Sequence, residues 1–262
     1  MKFCSLFSGS SGNCNYIGTD NASLLVDVGL SGIRVQNEMK KININPIDID
    51  GIIVTHEHID HVQGVGVFSR RFDIPVYASM KTWEAMACKV GKIKEGNIRF
   101  LEADKELLIK DLAITPFNIS HDAVEPFGFN ITNGIKKISL LTDTGCTNDY
   151  IRSKIFGFDL LLLESNHDEE LLKVGSYPWV LKKRIMSEVG HLSNETAALF
   201  LLNVLKKGGE HVFLGHLSKE NNFPELAQKT VENILLHNNI KIGSDVMINM
   251  TFRDKCTMIQ EI

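Results

Sequence analysis

The chain has 262 residues, 44% of them hydrophobic and 23% charged, a balance ordinary for a soluble globular enzyme able to bury a substantial core. No apolar run reaches the roughly 20 residues that a bilayer span needs, and Met1 to Ser5 leads into a strand-like pattern without a secretory signal, so the expectation is a cytoplasmic protein with no membrane partner. The formal net charge of −4 does not advertise a nucleic-acid partner, although bound metal ions can make a local pocket positive inside an acidic protein.

The N-terminal stretch reads as strand Lys2–Phe7, turn Ser8 to Asn13, strand Cys14–Ile17, then the buried apolar strand Ser23–Val28. Ser31 is placed to cap a helix running to Lys41. Ile52-Ile53-Val54 is a β-branched run suited to the inside of a sheet. Two helical segments between Val65 and Cys88 flank a strand at Val76–Ala78. Successive strands are expected at Ile98–Leu101, Leu107–Ile109, Leu112–Asn118, Phe127–Thr132 and Lys137–Thr142. Leu160–Leu163 is a further apolar strand, with two helical patterns between Asp168 and Ser187. Ser193 opens a helix to Lys206, His211–Leu214 is strand-like, Pro224–His237 is helical and Val246–Met250 closes the chain. Strands in both halves with helices between and after them suit an αββα sandwich, two mixed β-sheets flanked by helices. No repeat or Pro/Gly-rich linker divides the chain, so residues 1–262 read as a single domain.

The strongest chemical signal is Thr55-His56-Glu57-His58-Ile59-Asp60-His61, directly after an apolar strand. Imidazole and carboxylate together suit a divalent ion such as Zn2+, Mn2+ or Fe2+. In an extended segment His56 and His58 project to the same side and can chelate one ion, while Asp60 and His61 follow where a second ion would lie. An exposed, histidine-rich loop explains so dense a cluster poorly. The five cysteines, at positions 4, 14, 88, 146 and 256, include no close CxxC pair and read as reduced, packed thiols.

This HxHxDH pattern resembles the metallo-β-lactamase superfamily of metal-dependent hydrolases. The resemblance implies further ligands at strand ends, and it gives that part to His121, Asp143 and His216. His56, His58 and His121 would then hold one ion, Asp60, His61 and His216 the other, with Asp143 shared, two divalent ions per chain in all. Asp27 has two readings: a carboxylate that orients a ligand histidine by accepting its second N–H, or a turn residue capping Gly29. Gly190-His191-Leu192-Ser193-Asn194 resembles the extra histidine motif of nuclease branches of the superfamily, including the RNase Z-like enzymes. There His191 would approach the scissile phosphate beside a helix start that includes Ser193; the plainer reading is a cap-region histidine bonded to backbone.

The start, Phe7-Ser8-Gly9-Ser10-Ser11-Gly12-Asn13-Cys14, together with the GHLSN and GHLS segments, resembles the YycJ/WalJ group, described as 5′-to-3′ DNA exonucleases. Ser8, Ser10 and Asn13 are candidate anion-binding side chains on that loop, though a plain tight turn explains them equally. The implied activity is a dinuclear phosphodiesterase acting on DNA more readily than RNA, with a metal-bridging hydroxide as nucleophile. Asp60 would orient that nucleophile, and His191 would stabilise the transition state or protonate the leaving group. The rivals are a hydrolase of a small phosphodiester, thioester or lactone on the same scaffold, and a non-catalytic protein that uses metal only for its fold. Glu164 to Asp168 ends the strand Leu160–Leu163 where it could edge the same cleft, but no role there improves on a polar strand-to-helix loop with Asn166 or Asp168 as the cap; His211 and His237 read as structural.

Overall fold

The computed structural model describes residues 1–262. The first half runs β1 (Lys2–Phe7), β2 (Cys14–Gly18), β3 (Ser23–Val26), α1 (Gly32–Lys41), β4 (Gly51–Ile53), α2 (Ile59–Val62), α3 (Val65–Phe72), β5 (Val76–Ala78), α4 (Met80–Val90) and β6 (Ile98–Phe100). Short hairpin turns make β1–β2–β3 antiparallel, whereas the helical crossovers make β3–β4–β5–β6 parallel. The second half runs β7 (Leu107–Ile109), β8 (Leu112–Asn118), β9 (Phe127–Thr132), β10 (Lys137–Leu141), α5 (Asp149–Ile155), β11 (Leu160–Glu164), α6 (Glu169–Val174), α7 (Trp179–Ile185), α8 (Asn194–Val204), β12 (Glu210–Gly215), α9 (Pro224–His237), β13 (Val246–Met250) and β14 (Gln260–Glu261). It repeats the division: β7 to β10 are antiparallel hairpins, and β10–β11–β12–β13 are parallel.

The two sheets have seven strands each, in the orders β14-β1-β2-β3-β4-β5-β6 and β13-β12-β11-β10-β9-β8-β7. Leu24, Val26 and Ile53 of the first meet Ile114, Phe129 and Leu162 of the second in the middle layer. Phe3 of β1 and Phe213 of β12 cross that interface with ring centroids 5.0 Å apart, a contact that adds about 1 kcal/mol beyond area burial. The outer face of the first sheet packs on Val35, Phe68 and Met86 of the helices α1, α3 and α4. The outer face of the second packs on Ile151, Phe200 and Val231 of α5, α8 and α9. The αββα sandwich of two mixed sheets follows.

Several element ends differ from expectation. β3 stops at Val26 because Asp27 takes a left-handed φ of 61°, which a strand cannot continue. Ser31 holds the cap position of α1 without a side-chain cap bond. α8 ends at Val204, two residues early, and is capped by Ser193, whose hydroxyl accepts from the Thr196 N–H at 3.1 Å. Helix α5 was not legible as periodicity: it is a two-turn segment, capped by Asn148 and buried only through Ile151 and Ile155. β14 pairs with β1 over just two residues, too short for a sequence pattern.

Candidate metal centre

The expected ligands stand on loops that leave strand ends: His56 to His61 follow the parallel strand β4, Asp143 follows β10 and His216 follows β12, while His121 follows the antiparallel strand β8. Three of these strand-end residues share an unusual backbone: Asp27 (φ 61°), Asp143 (φ 57°) and His216 (φ 55°) are all left-handed. Non-glycine residues there carry a conformational cost and cluster at functional sites. The kink turns each side chain off its strand and into the cleft between the sheets. Close backbone contact fixes the HxHxDH loop from the other side. A β-carbon at Gly29 would lie 1.6 Å from the Asp60 carbonyl oxygen, so only glycine admits the Asn13 N–H bond to that oxygen and the Val28 N–H bond to the His61 carbonyl.

The donor atoms form overlapping clusters. His56, His58 and His121 make one, Asp60, His61 and His216 another, and within each the ligand atoms lie within 4.8 Å of one another. Asp143 lies between them, Oδ2 at 3.5 Å from His61 Nε2 and Oδ1 at 3.3 Å from His216 Nε2 and 3.9 Å from His121 Nε2. The structure therefore brings together all seven ligands expected from the sequence.

Outer partners orient the rings. His61 Nδ1 donates to Asp27 Oδ2 at 2.7 Å, while Asp27 Oδ1 accepts from the Thr55 N–H at 2.9 Å. That leaves the lone pair of His61 Nε2 turned into the site. His56 Nδ1 lies 3.0 Å from Thr55 Oγ and His121 Nδ1 lies 3.3 Å from the Gly190 carbonyl, which likewise leaves their Nε2 atoms inward.

Two features fit a bound divalent cation. His216 Nε2 and Asp143 Oδ2 are buried with no hydrogen-bond partner, the condition native interiors avoid unless a ligand or ion completes them. Moreover Asp27, Asp143 and Glu164 are almost wholly buried, and their ion pairs are with histidines, with no Lys or Arg among them. The titration of the clustered histidines reflects that excess of negative charge. Burial opposes a charge on His216, yet Asp143, Asp60 and Glu164 outweigh it and push its pKa up to about 10. Burial likewise opposes charging of His61, which Asp27, Asp143 and Asp60 still drive upward. His56 goes the other way, held down by burial and by the neighbouring imidazoles.

Residues 23–216, a span that holds all seven expected ligands, match the family model of the beta-lactamase superfamily domain. The chain belongs to the metallo-β-lactamase superfamily. Within it the chain falls in the YycJ/WalJ group: it is 41% identical to Exodeoxyribonuclease YycJ of Bacillus anthracis, over 100% of this chain and 99% of that protein. Against Exodeoxyribonuclease WalJ of Streptococcus pneumoniae the identity is 42%, over 100% and 98%. The metallo-beta-lactamase fold protein YhfI of Bacillus subtilis superposes with a TM-score of 0.71 over 98% of this chain and 99% of its own, at 16% identity. That likeness concerns the fold alone.

In this superfamily member the residue that sequence reasoning missed is Glu164. It is not part of a loop but the last residue of β11, fully buried, between the strands that carry Asp143 and His216. Its Oε1 accepts from His191 Nδ1 at 2.7 Å and from His216 Nδ1 at 2.8 Å. Its Oε2 accepts from the backbone N–H groups of Thr144 and Leu192. Burial alone would raise its pKa; His191 and His216 hold it well below the usual carboxylate range. His191 is half-buried, and burial opposes its charge, but Glu164 raises its pKa. Its Nε2 makes no hydrogen bond within the protein. The only available signal for Glu164 was a carboxylate ending an apolar strand, the same position Asp143 nearly holds on β10. Asp168, for its part, caps α6 through the Leu171 N–H, as its place after the strand suggested.

The residues expected to contact substrate are placed differently. Ser193 is buried, and its hydroxyl is taken up by the α8 cap and by Glu169 Oε1 at 3.2 Å. Ser8 is buried too, with Oγ accepting from the His216 N–H at 2.8 Å. Asn13 Oδ1 accepts from the Gly9 N–H, and its Nδ2 lies 3.1 Å from His61 Nε2. All three brace the site's own chain, because short polar side chains in tight turns bond to nearby backbone first. Only Ser10 is exposed, at the tip of the loop.

Proposed function

We propose that the chain acts as one domain, a dinuclear metal-dependent phosphodiesterase that degrades DNA exonucleolytically from 5′ ends. The observation that carries this reading is the pair of ligand clusters joined at Asp143 and flanked by His191, whose Nε2 is free of protein partners. The full-length similarity to two proteins named exodeoxyribonucleases supports DNA as the substrate.

His56, His58 and His121 would hold one ion, and Asp60, His61 and His216 the other, with Asp143 common to both. Divalent ions bound there supply a water nucleophile of lowered pKa and offset charge growing on the phosphate oxygens. Asp60 is the partly exposed carboxylate of the set, so an oxygen of it can accept a hydrogen bond from the attacking water and aim it. Glu164 fixes the His191 ring through Nδ1 and favours its protonated form, so that Nε2–H can donate to the departing oxygen or to the charged phosphoryl group.

Linear duplex DNA labelled at the 5′ end, incubated with Mn2+ or Zn2+, should release labelled mononucleotide from the earliest times. Covalently closed circles should stay intact. Rapid cutting of closed circles, or activity confined to small esters, thioesters or lactones, would overturn the reading.

A further inference from the structure

Beside the second ligand cluster lies a cavity of about 340 Å³, bordered by Ser8, Lys219, Phe223 and Arg253. Its wall is shared with the metal centre, because Ser8 Oγ accepts from the His216 N–H and Leu217, the next residue, also faces the cavity. Pockets that enclose small ligands start at roughly this size, which is enough for one nucleotide.

The lining is cationic with one free aromatic ring. Arg253 Nη2 donates to the Leu217 carbonyl at 3.0 Å, while its Nε is buried and has no partner. Lys219 is exposed and is in no ion pair. The single carboxylate of the lining is Asp254, itself exposed. Phe223 is 49% exposed at the mouth, whereas the Phe252 ring is covered by Lys255 Nζ at 4.3 Å. An aromatic face beside cationic groups is the combination that holds a base and its phosphate in single-strand binders.

One loop links the cavity wall to the metal centre. The loop from Ser8 to Asn13 begins in the cavity wall and ends with Asn13 Nδ2 at 3.1 Å from His61 Nε2. At its tip Ser10 and Ser11 are exposed, and their N–H groups have no acceptor in the chain. Successive free N–H groups of this kind suit a phosphate passing over them.

We infer that this cavity is the subsite for the terminal nucleotide of the DNA strand, with its base against Phe223 and its phosphate on Arg253 and Lys219. The adjoining phosphodiester then lies over the loop tip and the metal centre. The assignment rests on the nuclease reading above. It also gives exonucleolytic action a cause, since a cavity sized for one nucleotide accepts a strand end and not an internal segment.

The test compares two substrates in the same preparations: a 5′-phosphorylated oligonucleotide, which would reach the cavity, and bis-p-nitrophenyl phosphate, which would not. In Phe223→Ala, Lys219→Ala and Arg253→Gln, the ratio of kcat/KM for the oligonucleotide to that for the small diester should fall by about tenfold. Phe223 and Lys219 are exposed, so their variants report even where Arg253→Gln folds poorly. Calorimetric titration with thymidine 5′-monophosphate should show tighter binding than inorganic phosphate in the wild type, with the preference lost in Phe223→Ala. An unchanged ratio in the exposed-residue variants, or equal binding of nucleotide and phosphate, overturns the subsite while oligonucleotide cleavage still stands. A wild type that cleaves the small diester but no oligonucleotide removes the nuclease reading, and this inference with it.

Discussion

His191 and His216 are tied to the same atom, Glu164 Oε1, at 2.7 and 2.8 Å from their Nδ1 nitrogens. One carboxylate thus orients a histidine expected to hold metal and a histidine expected to meet substrate. In Glu164→Gln the amide keeps a single acceptor oxygen for four donors, and its NH2 group must face an N–H. Metal affinity of the Asp60–His61–His216 cluster should drop by about 10- to 100-fold, the usual range for an outer-shell partner. Turnover at saturating metal should fall as well, because His191 loses its anchor. Chelator-competition titration and steady-state rates measure the two effects separately; no change in either would make Glu164 merely a buried strand-end carboxylate.

Metal stoichiometry tests the ligand sets. Elemental analysis after loading with Mn2+ or Zn2+ should give two ions per chain. Asp143 faces both clusters, so Asp143→Ala should impair both sites, whereas His216→Ala should mainly weaken one. A preparation that retains no ion after loading would remove the basis of the hydrolytic mechanism.

The contrast between these ligands and Glu164 shows what could be read from the sequence. His56, His58, Asp60 and His61 lie within six positions, so their proximity is local and needs no fold. His121, Asp143 and His216 are far apart in sequence, but each follows an apolar strand, and the family pattern supplied their order. Glu164 also ends an apolar strand, but the family pattern gave it no part. Its part depends on the parallel register that sets it opposite Gly215, and on the 185–190 turn delivering His191 to the same edge. The misplacement of Ser8, Asn13 and Ser193 has a related cause. Polar side chains in a glycine-rich loop read as free donors until the packed backbone around them claims their bonds. The sandwich itself was legible from apolar strand runs, while α5 and β14 were too short to declare a period.

Acid sensitivity should include a contribution from His167. This imidazole is 2% exposed, and burial pushes its pKa down from 6.5 to about 4. Between those values the unfolded chain binds a proton that the folded chain refuses. Stability is therefore full above about pH 6.5 and is lost as the pH falls towards 4, by on the order of 3 kcal/mol for this group. In His167→Leu, denaturant midpoints should fall less steeply over that interval than in the wild type. Parallel curves for the two proteins would show that His167 charges freely in the folded state.

The decisive variant for phosphate chemistry is His191→Ala. His191 Nδ1 is held by Glu164, and its Nε2 has no hydrogen-bond partner in the chain, so that nitrogen is left for the substrate. The variant should keep the wild-type metal content and fold while cleaving DNA roughly 100-fold more slowly, the scale of losing one positioned acid or electrostatic donor. The leaving group separates those two roles. An aryl phosphodiester, whose departing oxygen needs little protonation, should be nearly insensitive to the variant if Nε2–H acts as the general acid. An equal loss on both substrates would instead assign His191 to the charge on the phosphoryl oxygens. His191 also lies within ligand distance of Asp143 and His216, so metal content is the control that matters. Loss of an ion in His191→Ala would move this histidine into the inner shell and revise the ligand sets. Full activity with full metal would leave it a structural histidine at the start of α8, and DNA cleavage would then rest on the sequence similarity and the Asp143-joined clusters alone.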